Sequence, residues 1–308
     1  RLFTGSSEII ALRHGYHGRS AMAMALTGHA PWRLGPLPPS GVIHAHNAYC
    51  YRCPFGLSYP DCGVRCATDL EELIRTSTSG HVAGIIAEPI QGVGGFITPP
   101  PEYFPIVAEI VRKHGGLFIS DEVQTAWGRT GSKWFGIEHW GVQPDIVTSA
   151  KGLANGMPIG VTVARADVAD ALKGLTISTF GGNPVATAAG SAVLEFIEQQ
   201  HLLENTQKVG DYLKAKLQSL QEKQALIGEV RGLGLLMGVE LVRDRRTKEP
   251  AAKETNALLT HCRDQRLLVG KGGLYGNVIR ISPPMNISTG DVDEFIRRFD
   301  AALSAVGR

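Results

Sequence analysis

The chain has 308 residues, of which 43% are hydrophobic and 19% are charged. A chain of this length and composition can bury a large core, which excludes an intrinsically disordered protein. The 31 basic and 29 acidic residues nearly balance, so no nucleic acid or other polyanionic partner is expected. Because no apolar stretch reaches the ~18 residues that a membrane-spanning helix needs, we expect a soluble protein without a membrane partner.

The cysteine content bears on the cellular compartment. Five cysteines are an odd number in a chain too large to need disulfide staples, which favours a reducing compartment. A cytoplasmic location is expected, with the mitochondrion as the alternative if the protein is eukaryotic. The sequence opens on Arg1 rather than Met, so we expect a longer natural protein whose targeting segment, if any, precedes this residue.

Short apolar runs alternate with helical patterns through the first two thirds of the chain, which predicts an α/β fold. The runs that predict strands are residues 9–13, 82–87, 117–120, 146–149 and 159–164. A helix is predicted over residues 103–114, where Gly115 and Gly116 end it. Asn183 and Pro184 are typical of a helix start, and helical patterns follow to residue 199 and over 203–221.

The pattern changes near residue 205. The order becomes strand, strand, helix, strand, helix, over residues 227–231, 235–242, 253–266, 278–282 and 289–306. We therefore predict a large domain over residues 1–204 with a mostly parallel sheet, and a smaller α+β domain over residues 205–308.

Polar residues follow three of the predicted buried strands. Glu88 comes directly after the second run, Asp121 after the third and Lys151 soon after the fourth. Ligands of parallel sheets bind beyond the carboxyl ends of the strands, and desolvation there would lower the pKa of a lysine and activate its amine. Pyridoxal phosphate needs such a lysine and a carboxylate for its ring nitrogen. A strand-end aspartate and a loop lysine without chemical roles stay open as the alternative.

A hydroxyl- and glycine-rich segment, residues 176–184, leads into the predicted helix start. The backbone N–H groups and the dipole at a helix start favour a phosphate. Combined with the lysine and the carboxylate, this segment predicts an anion cradle.

Five motifs occur in the order found in class-III aminotransferases, a family that the chain resembles over its whole length. They are Tyr16-His-Gly, the Glu-Pro-Ile-Gln-Gly of residues 88–92, the Asp-Glu-Val-Gln of 121–124, the Thr-Ser-Ala-Lys-Gly of 148–152 and the Ser-Thr-Phe-Gly-Gly-Asn-Pro of 178–184. Residues 268–272 and 280–284 most resemble the branch that contains alanine–glyoxylate aminotransferase 2. The resemblance implies fold type I of the pyridoxal-phosphate-dependent transferases, with helices on both faces of a mostly parallel central sheet. It also implies that the N-terminal portion of the family fold, with a Gly-Ser phosphate loop, is absent from these residues.

The resemblance assigns roles to residues that match the family motifs. Lys151 would form the internal aldimine with pyridoxal phosphate and move the substrate proton, while Asp121 would keep the ring nitrogen protonated. Tyr16 would stack on the ring, and Gln124 would bond its phenolic oxygen. Thr179 would reach the phosphate bound in the neighbouring subunit, which implies a homodimer with shared active sites.

Three further residues carry both a functional and a structural interpretation. Arg280 resembles the arginine that binds the substrate carboxylate, and its alternative is a strand arginine in a surface ion pair. Glu88 would order the site or serve only the structure. His17 would act beside the cofactor, or pack and hydrogen-bond without contacting it.

The implied activity is the transfer of an amino group from a small, alanine-like donor to glyoxylate or pyruvate in two half-reactions. Val93 stands where relatives that act on ω-amino groups carry a glutamate that pairs with the arginine, which favours small α-amino and α-keto acids. The alternatives are a 4-aminobutyrate or ornithine type of ω-amino-acid aminotransferase, an aminomutase or decarboxylase, and a non-catalytic relative.

Four of the cysteines cluster outside these motifs. Cys50 and Cys53 precede a Tyr-, Pro- and Gly-rich segment, and Cys62 and Cys66 follow it. Four thiolates at this spacing could hold a structural zinc ion. Unligated thiols or a disulfide are the alternatives.

Overall fold

The computed structural model describes residues 1–35 and 41–306, and the chain divides into two compact units. The first unit consists of Arg1–Gln91, Pro99–Trp127 and Phe135–Gln199, and the second consists of Gly92–Thr98, Gly128–Trp134 and Gln200–Arg308. The second unit thus takes in two segments that lie before residue 205. Within the described ranges, none of the helices combines the length and the hydropathy that crossing a bilayer requires.

A six-stranded sheet forms the centre of the first unit. Its strands are β1 (Ile9–Leu12), β2 (Val42–Ala45), β3 (Gly84–Ala87), β4 (Leu117–Asp121), β5 (Ile146–Ser149) and β6 (Val161–Ala164). They lie in the order β2-β1-β3-β4-β5-β6, and all pairs are parallel except β5 with β6. The mostly parallel sheet confirms the predicted fold class. The last strand is antiparallel because residues 150–160, which carry only a 3₁₀ turn, do not supply the long crossover that a parallel strand needs.

The described residues of the first unit form five helices. They are α1 (Ala21–Leu26), α2 (Arg65–Ser77), α3 (Tyr103–Lys113), α4 (Ala166–Ala169) and α5 (Pro184–Gln199). Short 3₁₀ helices occupy Ala30–Trp32, Cys50–Arg52, Gly136–Trp140 and Lys151–Ala154. The predicted end of α3 is confirmed, because Gly115 adopts a φ of 76° and Gly116 N–H donates to the carbonyl of Val111 at 2.9 Å.

The core of the first unit explains why its central strands read as unbroken apolar runs. All four residues of β3 are buried, as expected for a strand covered on both faces. A Cβ on Gly84 would overlap the carbonyl oxygen of Leu117, so the close approach of β3 to β4 requires glycine. Phe104 of α3 contacts Phe118 of β4 and Trp140 edge to face, with ring centroids 5.8 Å and 5.2 Å apart.

The second unit is an antiparallel sheet packed against helices. Its strands are β7 (Ile227–Leu233), β8 (Leu236–Leu241), β9 (Gly270–Gly272) and β10 (Val278–Ile281), in the order β7-β8-β10-β9. Its helices are α6 (Leu202–Lys223), α7 (Ala252–Asp264) and α8 (Thr289–Ala305). Fully buried side chains such as Leu217, Val239, Leu258 and Phe299 join all three helices to the sheet in one core. The predicted sequence of strands and helices is confirmed, with β9 as an added edge strand.

Candidate functional site

The predicted residues of the first unit gather at the carboxyl ends of its central parallel strands. Asp121 is the last residue of β4, Glu88 directly follows β3, and Lys151 follows β5 after a single intervening residue. The strands β4 and β5 are neighbours, and Asp121 lies opposite Thr148. The sheet therefore brings the two carboxylates and the lysine to one edge, where parallel sheets bind their ligands.

Asp121 is paired with His17. Nδ1 of His17 lies 2.7 Å from Oδ2 of Asp121, and the two side chains are only 2% and 6% exposed. The other carboxylate oxygen, Oδ1, accepts the backbone N–H of Val123 at 3.2 Å. Within the described part of the chain, Nε2 of His17 is buried without a hydrogen-bond partner. The pair joins the first predicted motif to the third.

Glu88 holds the backbone of the first motif. Its Oε1 accepts the N–H of Tyr16 at 2.9 Å, and the carboxylate is buried. Three residues later Gln91 donates from Nε2 to the carbonyl of Arg13 at 2.8 Å and accepts from Asn47 at 2.6 Å. Both residues of the second motif therefore fix the loop that carries Tyr16, whose ring meets Trp32 edge to face at 5.4 Å.

Glu122 is a site residue to which the sequence assigned no role. Its side chain is fully buried and accepts the N–H groups of Gly136 and Ile137, each at 2.8 Å. The hydroxyls of Ser120 and Thr125 also donate to it. The carboxylate thereby ties the chain after β4 to the 3₁₀ helix at Gly136–Trp140. The signal in the sequence was a second acidic residue directly after Asp121, at the end of a buried strand.

Lys151 opens a 3₁₀ helix directly beyond the strand end, and its side chain is exposed in this single chain, as are the neighbouring residues 155–158. Its backbone is left-handed, with a φ of 46°. Such a conformation is uncommon for a lysine, and strained backbone of this kind is concentrated at active sites and ligand-binding positions.

The glycine-rich segment leads into α5 as predicted. Oδ1 of Asn183 accepts the N–H of Ala186 at 3.0 Å, which caps the helix, and Gly182 has a φ of 67°. Thr179 lies in the exposed stretch before this cap, and Gln124 is half-buried in the turn after β4. The structure thus gives the segment the helix N-terminus that phosphate binding requires.

Arg280 belongs to the second unit, on β10. The carbon of its guanidinium lies 4.8 Å from the centroid of the Phe96 ring, within that same unit. The guanidinium of Arg280 is therefore stacked on an aromatic face.

The four clustered cysteines line one cavity of about 20 Å³ in the first unit. All are reduced, and Cys50 is exposed, while burial raises the pKa of the Cys66 thiol to about 12. Among the described residues, no three His, Cys, Asp or Glu side chains converge as ligands of a metal ion. Structural zinc stays a hypothesis, and metal analysis of the purified protein that finds no stoichiometric zinc would exclude it.

The first unit has groups that fit pyridoxal phosphate. Asp121 is a buried carboxylate with lone pairs left beside its two recorded hydrogen bonds, which suits a protonated ring nitrogen. Lys151 offers an exposed amine at the same edge as Asp121.

Comparisons with known proteins agree with this geometry. The family model described as "Aminotransferase class-III" matches residues 1–303. A relative from Arabidopsis thaliana, "Alanine--glyoxylate aminotransferase 2 homolog 2, mitochondrial", is 46% identical over 99% of this chain. A "Leucine/methionine racemase" from Thermococcus litoralis is 40% identical, again over 99% of this chain, which covers 69% of that relative. The chain spans 63% of the length of the Arabidopsis relative.

A solved structure resembles the chain equally well. It is an amine transaminase from an uncultivated Pseudomonas species, described as the PLP-bound, internal aldimine form. The two are 34% identical with a TM-score of 0.92, and the match covers 99% of this chain and 71% of the other.

Proposed function

The chain belongs to the class-III aminotransferase family, and on that premise we propose that the whole protein is a pyridoxal-phosphate-dependent aminotransferase. The observation that carries the proposal is the buried pair of Asp121 and His17 at the end of β4, beside the strand that leads to Lys151. A carboxylate and an amine at one edge are what this cofactor needs from a protein. A non-catalytic scaffold needs neither.

Each of the site residues would have a separate role toward the cofactor or the substrate. Lys151 would bind the cofactor through Nζ and, when displaced by the substrate amine, take the proton from the substrate Cα. Asp121 would hold a proton on the ring nitrogen, and His17 would hold Asp121. Tyr16 would cover the ring face, and Gln124 would donate to the phenolic oxygen. The cofactor would supply the electron sink for the carbanion at Cα.

The proposed substrates are a small, alanine-like amino donor and glyoxylate or pyruvate as acceptor. Arg280 would bind their carboxylate by a bidentate pair of hydrogen bonds, a task that suits a planar guanidinium. The similarity to the Arabidopsis relative, whose name contains alanine and glyoxylate, supports this choice.

Val93 provides a test of substrate choice. It lies in the same unit as Arg280, and its carbonyl accepts the N–H of Gly273 at 2.9 Å. Val93→Glu should give Arg280 a carboxylate partner and lower kcat/KM for glyoxylate relative to 2-oxoglutarate by about tenfold. Val93→Gln is the uncharged control, and unchanged acceptor kinetics in the glutamate variant would contradict this account of specificity.

A racemase is the second candidate, because the Thermococcus litoralis relative of that name is 40% identical over 99% of this chain. A racemase returns the proton to the opposite face of Cα and needs no acceptor, whereas an aminotransferase releases a keto acid. The two functions are therefore separated by their products.

The experiment uses the full-length protein with pyridoxal phosphate. We expect a lysine-bound cofactor band that L-alanine bleaches and glyoxylate restores, with glycine formed in step. Lys151→Ala should lose the band, whereas Lys173→Ala, at an exposed position of the same unit, should keep it. Formation of D-amino acid without an acceptor would favour the racemase. No band in the wild type would refute both.

We also propose that the protein is a homodimer with shared sites. The stretch that carries Thr179 exposes apolar side chains, with Leu175 fully exposed and Ile177 and Phe180 at 93% and 82%. Large apolar side chains exposed together are typical of an interface, and the family resemblance, which implies that Thr179 reaches the partner's cofactor, supports the proposal.

The cytoplasm is the proposed location, and the odd number of cysteines in a chain too large to need disulfide staples supports a reducing compartment. The mitochondrion is the alternative that the name of the Arabidopsis relative favours. Fractionation of cells that carry the tagged natural protein distinguishes the two.

A further inference from the structure

Arg280 is flanked by glycine on both neighbouring strands. It occupies β10, between β8 and β9, and lies opposite Gly238 on β8 and Gly270 on β9. Directly opposed residues of an antiparallel sheet point to the same face. The two neighbouring strands therefore carry no side chain directly beside the arginine, and the next residue of the same row is Arg231 on β7, opposite Gly238.

The turn that carries Phe96 fills the space that Gly238 leaves open on this face of the sheet. A Cβ on Gly238 would lie 2.8 Å from the carbonyl oxygen of Gly95 and 3.3 Å from Cβ of Phe96, so the turn packs where that side chain would stand. Nε of Arg231 donates to the same carbonyl at 2.9 Å.

Phe96 is held in a strained conformation. It is fully buried and left-handed, with a φ of 56°, which is rare for a bulky residue. The ring lies under the guanidinium of Arg280 at 4.8 Å. Strain of this kind persists only where the surroundings impose it, and it is often found at ligand-binding positions.

Gly272 leaves the space that the aliphatic part of the Arg280 side chain occupies. A Cβ at this position would lie 2.6 Å from Cδ of Arg280 and 3.1 Å from the carbonyl oxygen of Val93. A Cβ on Gly270, two residues earlier on the same face of β9, would lie 3.6 Å from Cβ of Arg280, an ordinary contact. The observed position of the Arg280 side chain therefore requires glycine at residue 272 but is compatible with a Cβ at residue 270.

We infer that Phe96 and Gly272 are positioning residues that preorganise Arg280 and thereby set the affinity of the protein for carboxylate-bearing substrates. The inference rests on the proposed role of Arg280. An arginine already fixed along its length loses less rotamer freedom when it binds a carboxylate, and the aromatic face holds the guanidinium plane. The selectivity of the site for amino acids over simple amines then depends on two residues that do not contact the substrate.

The paired variants Gly272→Ala and Gly270→Ala test the inference in the full-length holoenzyme. We expect Gly272→Ala to raise the half-saturating concentration of L-alanine about tenfold or more with little change in the limiting rate. The same variant should leave the response to isopropylamine, which has no carboxylate, unchanged. Gly270→Ala should match the wild type with both donors, so a general loss of structure in β9 is separated from displacement of Arg280.

A second readout does not depend on turnover. Calorimetric titration with propionate should show weaker binding to the Gly272→Ala and Phe96→Leu proteins than to the wild type and Gly270→Ala. Phe104→Leu, at an equally buried phenylalanine of the first unit, controls for loss of packing in the Phe96 variant. Thermal unfolding of each variant shows whether it is folded.

The outcomes keep the inference apart from the proposed function. Equal propionate affinity in the wild type and Gly272→Ala would overturn the inference, even if the protein is a transaminase. A rise in half-saturation that is the same for L-alanine and isopropylamine would also overturn it. A wild type that binds propionate through Arg280 but reacts with neither donor would refute the proposed function and leave the positioning result standing.

Discussion

Asp121 and His17 are 104 residues apart in the sequence and form one buried hydrogen-bonded pair. The motifs select both residues, and for His17 they leave open a role beside the cofactor or packing without contact to it. The pairing could not be read from spacing, since it depends on the loop after β1 returning to the end of β4.

Removing the histidine should loosen the cofactor. A hydrogen bond to a charged group contributes about 1.5–3 kcal/mol, so His17→Leu should weaken pyridoxal phosphate binding about tenfold or more. His17→Gln, which keeps a donor, should recover part of the loss. The Kd is measured by absorbance titration of the apoprotein, with His114→Leu, at the C-terminal cap of α3, as the control. An unchanged Kd in His17→Leu would contradict a role in cofactor binding and show that His17 serves only the packing.

At the scale of elements, Glu122 connects β4 to the 3₁₀ helix at Gly136–Trp140. Its burial raises its pKa, and hydrogen bonds from Thr125, Ile137, Gly136 and Ser120 oppose that rise. The folded protein therefore holds this proton more tightly than the unfolded chain. Its contribution to the free energy of unfolding should fall as pH rises from about 4.5, the ordinary pKa of the group, towards the raised value.

Glu122→Gln removes this titration and two of the acceptor positions. The variant should lose roughly 1–3 kcal/mol of unfolding free energy at about pH 5, because buried N–H groups are left facing an amide. The difference in unfolding free energy between the variant and the wild type should become smaller towards about pH 8, because only the wild type loses this pH-dependent contribution. Urea unfolding across this range measures it, with Glu109→Gln on the exposed side of α3 as control. A difference that widens with pH would contradict the direction of the shift.

The cysteine segment offers a second element-scale prediction. Burial raises the pKa of the Cys66 thiol, in α2, to about 12 and that of the Cys262 thiol, in α7, to about 11. Since the thiolate is the reactive form, iodoacetamide at about pH 8 should modify the exposed Cys50 well before either. Peptide mass spectrometry follows each site, and unfolded protein should be labelled at all five cysteines. Labelling of Cys66 as fast as Cys50 would show that the helix start is open to solvent.

For the whole molecule, the proposed homodimer predicts that its apolar surface is covered in solution. The double change Ile177→Ser and Phe180→Ser should weaken association about tenfold or more, because both side chains would lose buried area. Sedimentation of the full-length protein at several concentrations gives the equilibrium. Leu57→Ser, at a half-exposed leucine outside that stretch, is the control. A wild type that sediments as a monomer at every concentration would refute the homodimer.

The sequence by itself determined the α/β order and the strand ends, because unbroken apolar runs and polar strand-end residues are local signals, and its five ordered motifs carried the resemblance to the family. It also placed Asp121 and Lys151 at one edge, since parallel strands share the direction of their carboxyl ends. Only the tertiary structure decided that β6 turns back antiparallel, that His17 meets Asp121, and that Phe96 and Gly272 lie against the side chain of Arg280. These features arise from contacts between segments that are distant in the chain. A local period or motif does not specify how two such segments pack against each other.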